Sequence, residues 1–181
     1  MLEYLIWILL GLFCLNRLLF WVAVFLRKWK KWYGTVAVTT TSVILICLPL
    51  APQPRLDSFS LLWRILGVIV FVIGMLIMLQ ADREFHKMKT RPDGLPTTLV
   101  TTGPYSIVRH PQYVGLNISF GGWALIWVAI YSLYLIPVII FLNGVQAFLE
   151  EKHILEKRFG EEYREYKQKV GMYLPKTMKR T

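Results

Sequence analysis

At 181 residues the chain has the length of one soluble domain, yet 55% of it is hydrophobic, 14% aromatic and only 18% charged. That balance belongs in lipid rather than in water. The net charge of +10 would suit a nucleic-acid partner, but its placement along the chain argues for a membrane and against nucleic acid.

Apolar runs near the roughly twenty residues needed to cross a bilayer predict membrane helices at 4–26, 36–50 and 61–79. The next run, 113–149, is 37 residues long, too long for one crossing. A break near Tyr131 and Ser132 divides it into helices at 113–130 and 132–149. The expectation is an all-α, integral membrane bundle of five transmembrane helices, one membrane domain over 1–181. A cytoplasmic loop spans 80–112 and an amphipathic C-terminal helix 150–170.

Arg27, Lys28, Lys30 and Lys31 follow the first run, and Arg83, Lys87, Lys89, Arg91 and Arg109 follow the third. Nine more basic residues lie between Lys152 and Arg180, so 18 of the 21 Lys and Arg residues fall on segments that a five-span chain puts on one side. The positive-inside rule makes that side cytoplasmic, with the N-terminus outside. Topology and attraction to anionic lipid account for the charge. Glu3, where a cleaved leader would carry basic residues, predicts a retained first helix. Cys14 and Cys47 fall within spans, without Cys-x-x-Cys spacing, and read as small apolar residues.

Within the first span lie Asn16 and Arg17. An ionisable group inside a membrane helix is a functional candidate, whereas Arg64 sits near a helix end and can snorkel to the headgroups. Pro49, Pro52 and Pro54 give 49–60 the character of a short stiff loop. In the long polar connection, Ala81 to Arg83 continue the third helix, and Pro92, Asp93, Gly94 and Pro96 break it. Thr97 to Thr102 is rich in β-branched residues and extended, leading into a turn at Gly103 and Pro104. In the tail, Phe159, Tyr163, Tyr166 and Val170 recur at helical offsets, with Gly171 as a stop. That narrow aromatic stripe predicts a lid over the polar loop rather than a helix lying on lipid.

The glycine-rich nucleotide signatures and the Gly-x-Ser-x-Gly elbow are absent. His86, His110 and His153 are too few for a di-iron site, and the Glu-x-x-His spacing of Glu150 and His153 has no second copy, so no metal is expected. What remains is a polar cluster. Tyr105, Arg109, His110, Gln112 and Tyr113 gather where the fourth span enters the membrane, and Asn117 lies one turn below Tyr113. On the fifth span Asn143, Gln146 and Glu150 form a stripe ending at the same boundary. The two spans form a hairpin, which makes the groups neighbours. Interface anchoring would explain Arg109 and Tyr113 singly, but not polar side chains sunk into the fifth span.

Several of these residues also form ordered motifs. Gly103-Pro104-Tyr105, Arg109-His110-Pro111-x-Tyr113-x-Gly115, the pair Glu150-Glu151, Phe159-Gly160-Glu161-Glu162-Tyr163-x-x-Tyr166 and Leu174-Pro175 resemble the isoprenylcysteine carboxyl methyltransferase family, whose wider group includes the membrane phospholipid methyltransferases. The resemblance runs over roughly 61–176. It implies S-adenosyl-L-methionine bound on the cytosolic side. The implied contacts are the backbone of Thr97, Thr98, Leu99 and Val100, then Tyr105, His110, Pro111, Gln112, Tyr113 and Glu151. It also implies a membrane lipid or isoprenoid acceptor entering from the bilayer. Glu150 is the nearest proton acceptor, Asn117 lies beside the meeting point, and Arg109 serves local structure or substrate positioning.

One departure stands out. The carboxyl methyltransferases carry an Arg four or five residues before the cofactor-binding Glu, to grip the substrate carboxylate; those positions here are Ala147 and Gln146. Asn143, Gln146 or Arg17 would have to bind the substrate instead, or the acceptor is an amine, a thiol or another lipid carboxylate. Two rival classes are an NADPH-dependent membrane sterol-type reductase, for which the chain is short, and a non-catalytic membrane adaptor, which would leave buried polar stripes without a use.

Overall fold

A computed structural model of the chain describes residues 4–25, 31–55, 60–87 and 97–176. Glu3, Arg27, Lys28, Lys30, Lys89, Arg91, Arg180 and the predicted break at Pro92, Asp93, Gly94 and Pro96 lie outside the described residues. Among those described, the architecture is helical: α1 Leu5–Phe25, α2 Lys31–Leu50, α3 Ser60–His86, α4 Pro111–Ile126, α5 Ile130–Glu150, α6 Glu156–Phe159 and α7 Glu161–Lys169. A 3-10 turn, Gly103–Ser106, precedes α4, and a π-turn, Glu151–Leu155, joins α5 to α6.

Among the described residues three stretches are long and apolar enough to cross a membrane, Leu5–Ala23, Leu61–His86 and Ile130–Phe159, while Val36–Leu50 is a shorter apolar helix. Their outward faces carry exposed Leu, Ile, Val and Trp, such as Trp7, Leu61, Leu62 and Phe141, as expected for surfaces facing lipid rather than water. Inside, Ile6 and Phe13 of α1 meet Ile44, Leu45 and Leu48 of α2, Phe120 of α4 and Ile139 of α5.

The packing of α3 on α4 is set by small residues. A Cβ added at Gly67 would lie 2.6 Å from the Ile126 nitrogen, and one at Gly115 would lie 2.7 Å from the Gly74 oxygen. Neither fits, so these glycines allow the two backbones to approach as close as membrane helices pack. The start of α4 is thereby fixed against the C-terminal half of α3.

Three sequence expectations are corrected. The fourth helix stops at Ile126, not 130, because Val128 takes φ 48. Ala129 N–H bonds to the Ala124 carbonyl and Val128 N–H to that of Leu125, both at 3.0 Å. This is a Schellman ending built on a valine instead of the usual glycine. Pro49 belongs to the last turn of α2, not to the loop. The tail is two helices, because Gly160 has φ 56 and ψ −122, a conformation that ends α6. A Cβ at Gly160 would meet no neighbour, so Gly160→Ala tests backbone strain alone. The expected cost is about 1–3 kcal/mol, read as a lowered melting temperature.

Candidate active site

Pro111 occupies the first turn of α4, where its missing N–H costs nothing. Arg109 and His110 are therefore held at the very entrance of the helix. Arg109 N–H bonds to the Gly171 carbonyl at 2.8 Å and His110 N–H to that of Met172 at 3.2 Å, beside a parallel bridge of Val108 with Gly171. The segment after α7 is thus laced to the segment before α4.

Glu150 and Glu151 end α5 and turn to different partners. Glu151 is fully buried. Its Oε1 accepts from Arg109 Nε at 2.8 Å and lies 3.0 Å from His110 Nε2, while its Oε2 accepts from Arg109 Nη2 at 3.2 Å. Lys167 of α7 approaches the same Oε2 at 3.3 Å and pairs with Glu156 at 2.8 Å. The remaining Arg109 donors reach the carbonyls of Val170 and Lys167. A buried ion pair holds only when such bonds saturate it, and here they tie α4, α5, α7 and the tail into one knot. The Lys167 ammonium is held above the usual lysine range, first by its bond to Glu156.

The Glu150 carboxylate faces the bundle. Its Oε1 accepts from the Tyr113 hydroxyl at 2.7 Å and from Gln146 Nε2 at 3.1 Å. Gln146 Nε2 also donates to the Tyr113 oxygen at 2.7 Å, and Gln146 Oε1 accepts from Arg17 of α1. One turn deeper, Asn143 Nδ2 donates to Asn117 Oδ1 at 2.6 Å. Asn143, Gln146 and Arg17 are all at least 97% buried, so a polar column descends from the α5 end into the apolar bundle.

The residues singled out from the sequence fall into place as follows. Arg109, His110 and Glu151 form one network, and Tyr113, Gln146, Glu150 and Arg17 a second beside it, with Asn117 and Asn143 below. The His110 and Tyr113 rings, 5.8 Å apart, join the two. Val100 is buried and Leu99 packs on Tyr163, Tyr166 and Val170, while Thr97 and Thr98 are exposed. Tyr105 takes a bond from the Tyr166 hydroxyl to its carbonyl at 2.6 Å. Pro111 is buried and Gln112 half-buried in the first turn of α4. Burial pushes the Tyr105 and Tyr166 hydroxyls above the usual phenol range, so both stay protonated.

Sequence reasoning missed Lys167, Glu156 and Tyr173. The Tyr173 ring lies 6.4 Å from His110, edge-on, and its buried hydroxyl has no hydrogen-bond partner among the described residues. An aromatic residue just after the Gly171 stop was the available signal. Nothing in the spacing of Lys167 and Glu156 pointed to Glu151.

Residues 62–162 match the family described as phospholipid methyltransferase. The chain belongs to that family. Among its relatives, the protein-S-isoprenylcysteine O-methyltransferase of Saccharomyces cerevisiae is 35% identical over 149 residues, 73% of this chain and 59% of that protein. The methanethiol S-methyltransferase of Pseudomonas deceptionensis is 30% identical over 176 residues, 82% of this chain and 65% of that protein. Protein-S-isoprenylcysteine O-methyltransferase B of Arabidopsis thaliana is 31% identical over 121 residues, covering 66% and 59%. The chain therefore spans less than two thirds of the length of these relatives. No solved structure matches it at a significant level. The family's matched region contains the whole junction of α4 with α5 but neither Arg17 nor Tyr173.

Proposed function

We propose that the chain is an integral membrane methyltransferase that uses S-adenosyl-L-methionine and acts on an amphiphilic, lipid-like or isoprenoid acceptor. In this reading α1 to α5 all cross the bilayer, with the N-terminus outside and the C-terminus cytoplasmic. The basic residues after α3 and along α6 and α7 support that orientation. The observation that carries the reading is the junction itself. His110 and Glu151, 41 residues apart in the chain, lie within 3.0 Å, beside a Tyr113 and Glu150 pair at the membrane face.

The residues fit the methyl donor. Its carboxylate suits the start of α4, where the N–H groups of Gln112 and Tyr113, in the first turn after Pro111, have no partner within the helix. Its sulfonium suits the ring faces of Tyr113 and Tyr173 beside the Glu150 carboxylate, and the Tyr173 hydroxyl, without a partner among the described residues, supplies a polar contact. The backbone of Thr97, Thr98, Leu99 and Val100, with Tyr105, forms the outer wall. Glu151 has both oxygens engaged, so it serves this site by holding Arg109 and His110 in position.

When bound, the cofactor supplies an electrophilic methyl group for in-line displacement. The protein's work is alignment and exclusion of water. The laced tail and α7 cover the site from the cytosol, while Asn117, Asn143 and Gln146 face the acceptor from below. Glu150 takes a proton only where the acceptor arrives protonated. The names of the relatives cover oxygen and sulfur acceptors, and both chemistries suit this site.

Calorimetric titration of S-adenosyl-L-methionine tests the assignment. His110→Ala is expected to weaken binding at least about tenfold, the loss of one charge-assisted bond. Unchanged affinity removes the site, and binding of NADPH without the methyl donor turns the reading to the reductase class.

A further inference from the structure

We propose that Arg17, reaching in from α1, is the residue that recognises the acceptor, and that the acceptor is therefore an anion, a carboxylate or a thiolate, rather than an amine. This rests on the methyltransferase reading above.

Arg17 is 3% exposed in the middle of an apolar helix. Among the described residues its guanidinium makes one side-chain hydrogen bond, to Gln146 Oε1, and lies 5.0 Å over the Phe13 ring. Its Nε is buried with no hydrogen-bond partner among the described residues. Among the described residues it makes no direct salt bridge to a carboxylate; the Glu150 charge acts on it from beyond the Gln146 amide that links them. A cation held this way is costly unless something neutralises it. By contrast Arg109, equally enclosed, has a two-pronged carboxylate and two carbonyls. Arg109 binds a carboxylate directly; Arg17 ends on an amide oxygen, with its Nε unpaired among the described residues.

The place it reaches is informative. Gln146 lies in the polar stripe of α5, beside the Tyr113 hydroxyl and the Glu150 carboxylate. The guanidinium arrives at that spot from a different helix, outside the matched residues 62–162. A planar fork of donors suits a carboxylate bidentately and a thiolate through fewer bonds, and repels a protonated amine. An anionic acceptor also has no proton to lose, so Glu150 keeps its bonds to Tyr113 and Gln146 throughout.

The test uses dodecylsulfonate, a permanently charged anion that cannot be productively methylated, titrated into the protein in phosphatidylcholine nanodiscs without cofactor. Wild type and Arg17→Lys are expected to bind it and Arg17→Gln to bind at least about tenfold more weakly, while wild type ignores dodecyltrimethylammonium. A purely structural arginine would make Arg17→Gln melt lower. A ligand-binding one lets it melt close to wild type, since the introduced glutamine amide can still donate to the Gln146 oxygen. Equal sulfonate binding by wild type and Arg17→Gln, no binding by wild type, or preference for the ammonium probe overturns the inference. Dodecanoate and dodecanethiol, offered with the methyl donor, then separate the carboxylate from the thiolate. Arg17-dependent sulfonate binding without any binding of S-adenosyl-L-methionine would sink the methyltransferase reading alone. The converse would sink only the role of Arg17.

Discussion

Glu151→Ala is expected to produce the largest loss of stability of any single change at the site. The substitution removes the carboxylate that Arg109, His110 and Lys167 share and leaves the Arg109 guanidinium 9% exposed without a counter-ion. Breaking a buried pair from one side costs about 3–5 kcal/mol, and the melting temperature should fall by roughly 10 °C for a chain of this size. Binding of S-adenosyl-L-methionine should disappear with it, because His110 and the 170–172 strap lose their common anchor. The double variant Arg109→Leu with Glu151→Leu should melt above Glu151→Ala, since no charge is then stranded. A Glu151→Ala protein within about 1 kcal/mol of wild type would show that the knot is not what holds α4, α5 and α7 together.

Gly115→Leu should act from the other side of α4. Even a bare Cβ there meets the Gly74 oxygen at 2.7 Å and the Met78 nitrogen at 2.8 Å, both backbone atoms that cannot swing aside. The helices must separate, at a cost above the usual 1–3 kcal/mol of overpacking. Tyr113 and Asn117, on neighbouring turns, then move off Gln146 and Asn143. A displacement of about 1 Å at a reacting centre costs on the order of a hundredfold in rate. Gly121→Ala is the control, since its Cβ would meet only Ile136 Cδ1 at an ordinary 3.8 Å. It should melt no lower than wild type. Equal melting temperatures and rates for the two variants would rule out the close approach of α3 and α4 as the element that aims α4.

Much of this arrangement was legible because two signals are local. The apolar runs mark the long helices, and the polar stripe Asn143, Gln146 and Glu150 marks one face of α5, which the hairpin with α4 brings to Tyr113 and Asn117. Local signals also misled. The aromatic offsets from Phe159 to Val170 continue in register across Gly160, hiding the break between α6 and α7. The end of α4 carries neither Gly nor Pro, so the sequence drew the turn at Tyr131 and Ser132 while the chain turns on Val128. Contacts across long separations had no periodic trace at all. Arg17 meets Gln146 across 129 positions, and Lys167 reaches Glu151 only because the tail folds back over α4. The Glu pair could be read as chemistry, but not how its two carboxylates divide: Glu151 to Arg109 and His110, Glu150 to Tyr113 and Gln146.

The central claim is a methyl-donor pocket at the α4 and α5 junction, and transfer of the methyl group tests it most directly. Purified protein in nanodiscs, incubated with native membrane lipid extract and radiolabelled S-adenosyl-L-methionine, should move label into an extractable amphiphile, and His110→Ala should abolish it. No protein-dependent label in any extracted species, or label that persists undiminished in His110→Ala, would contradict the account.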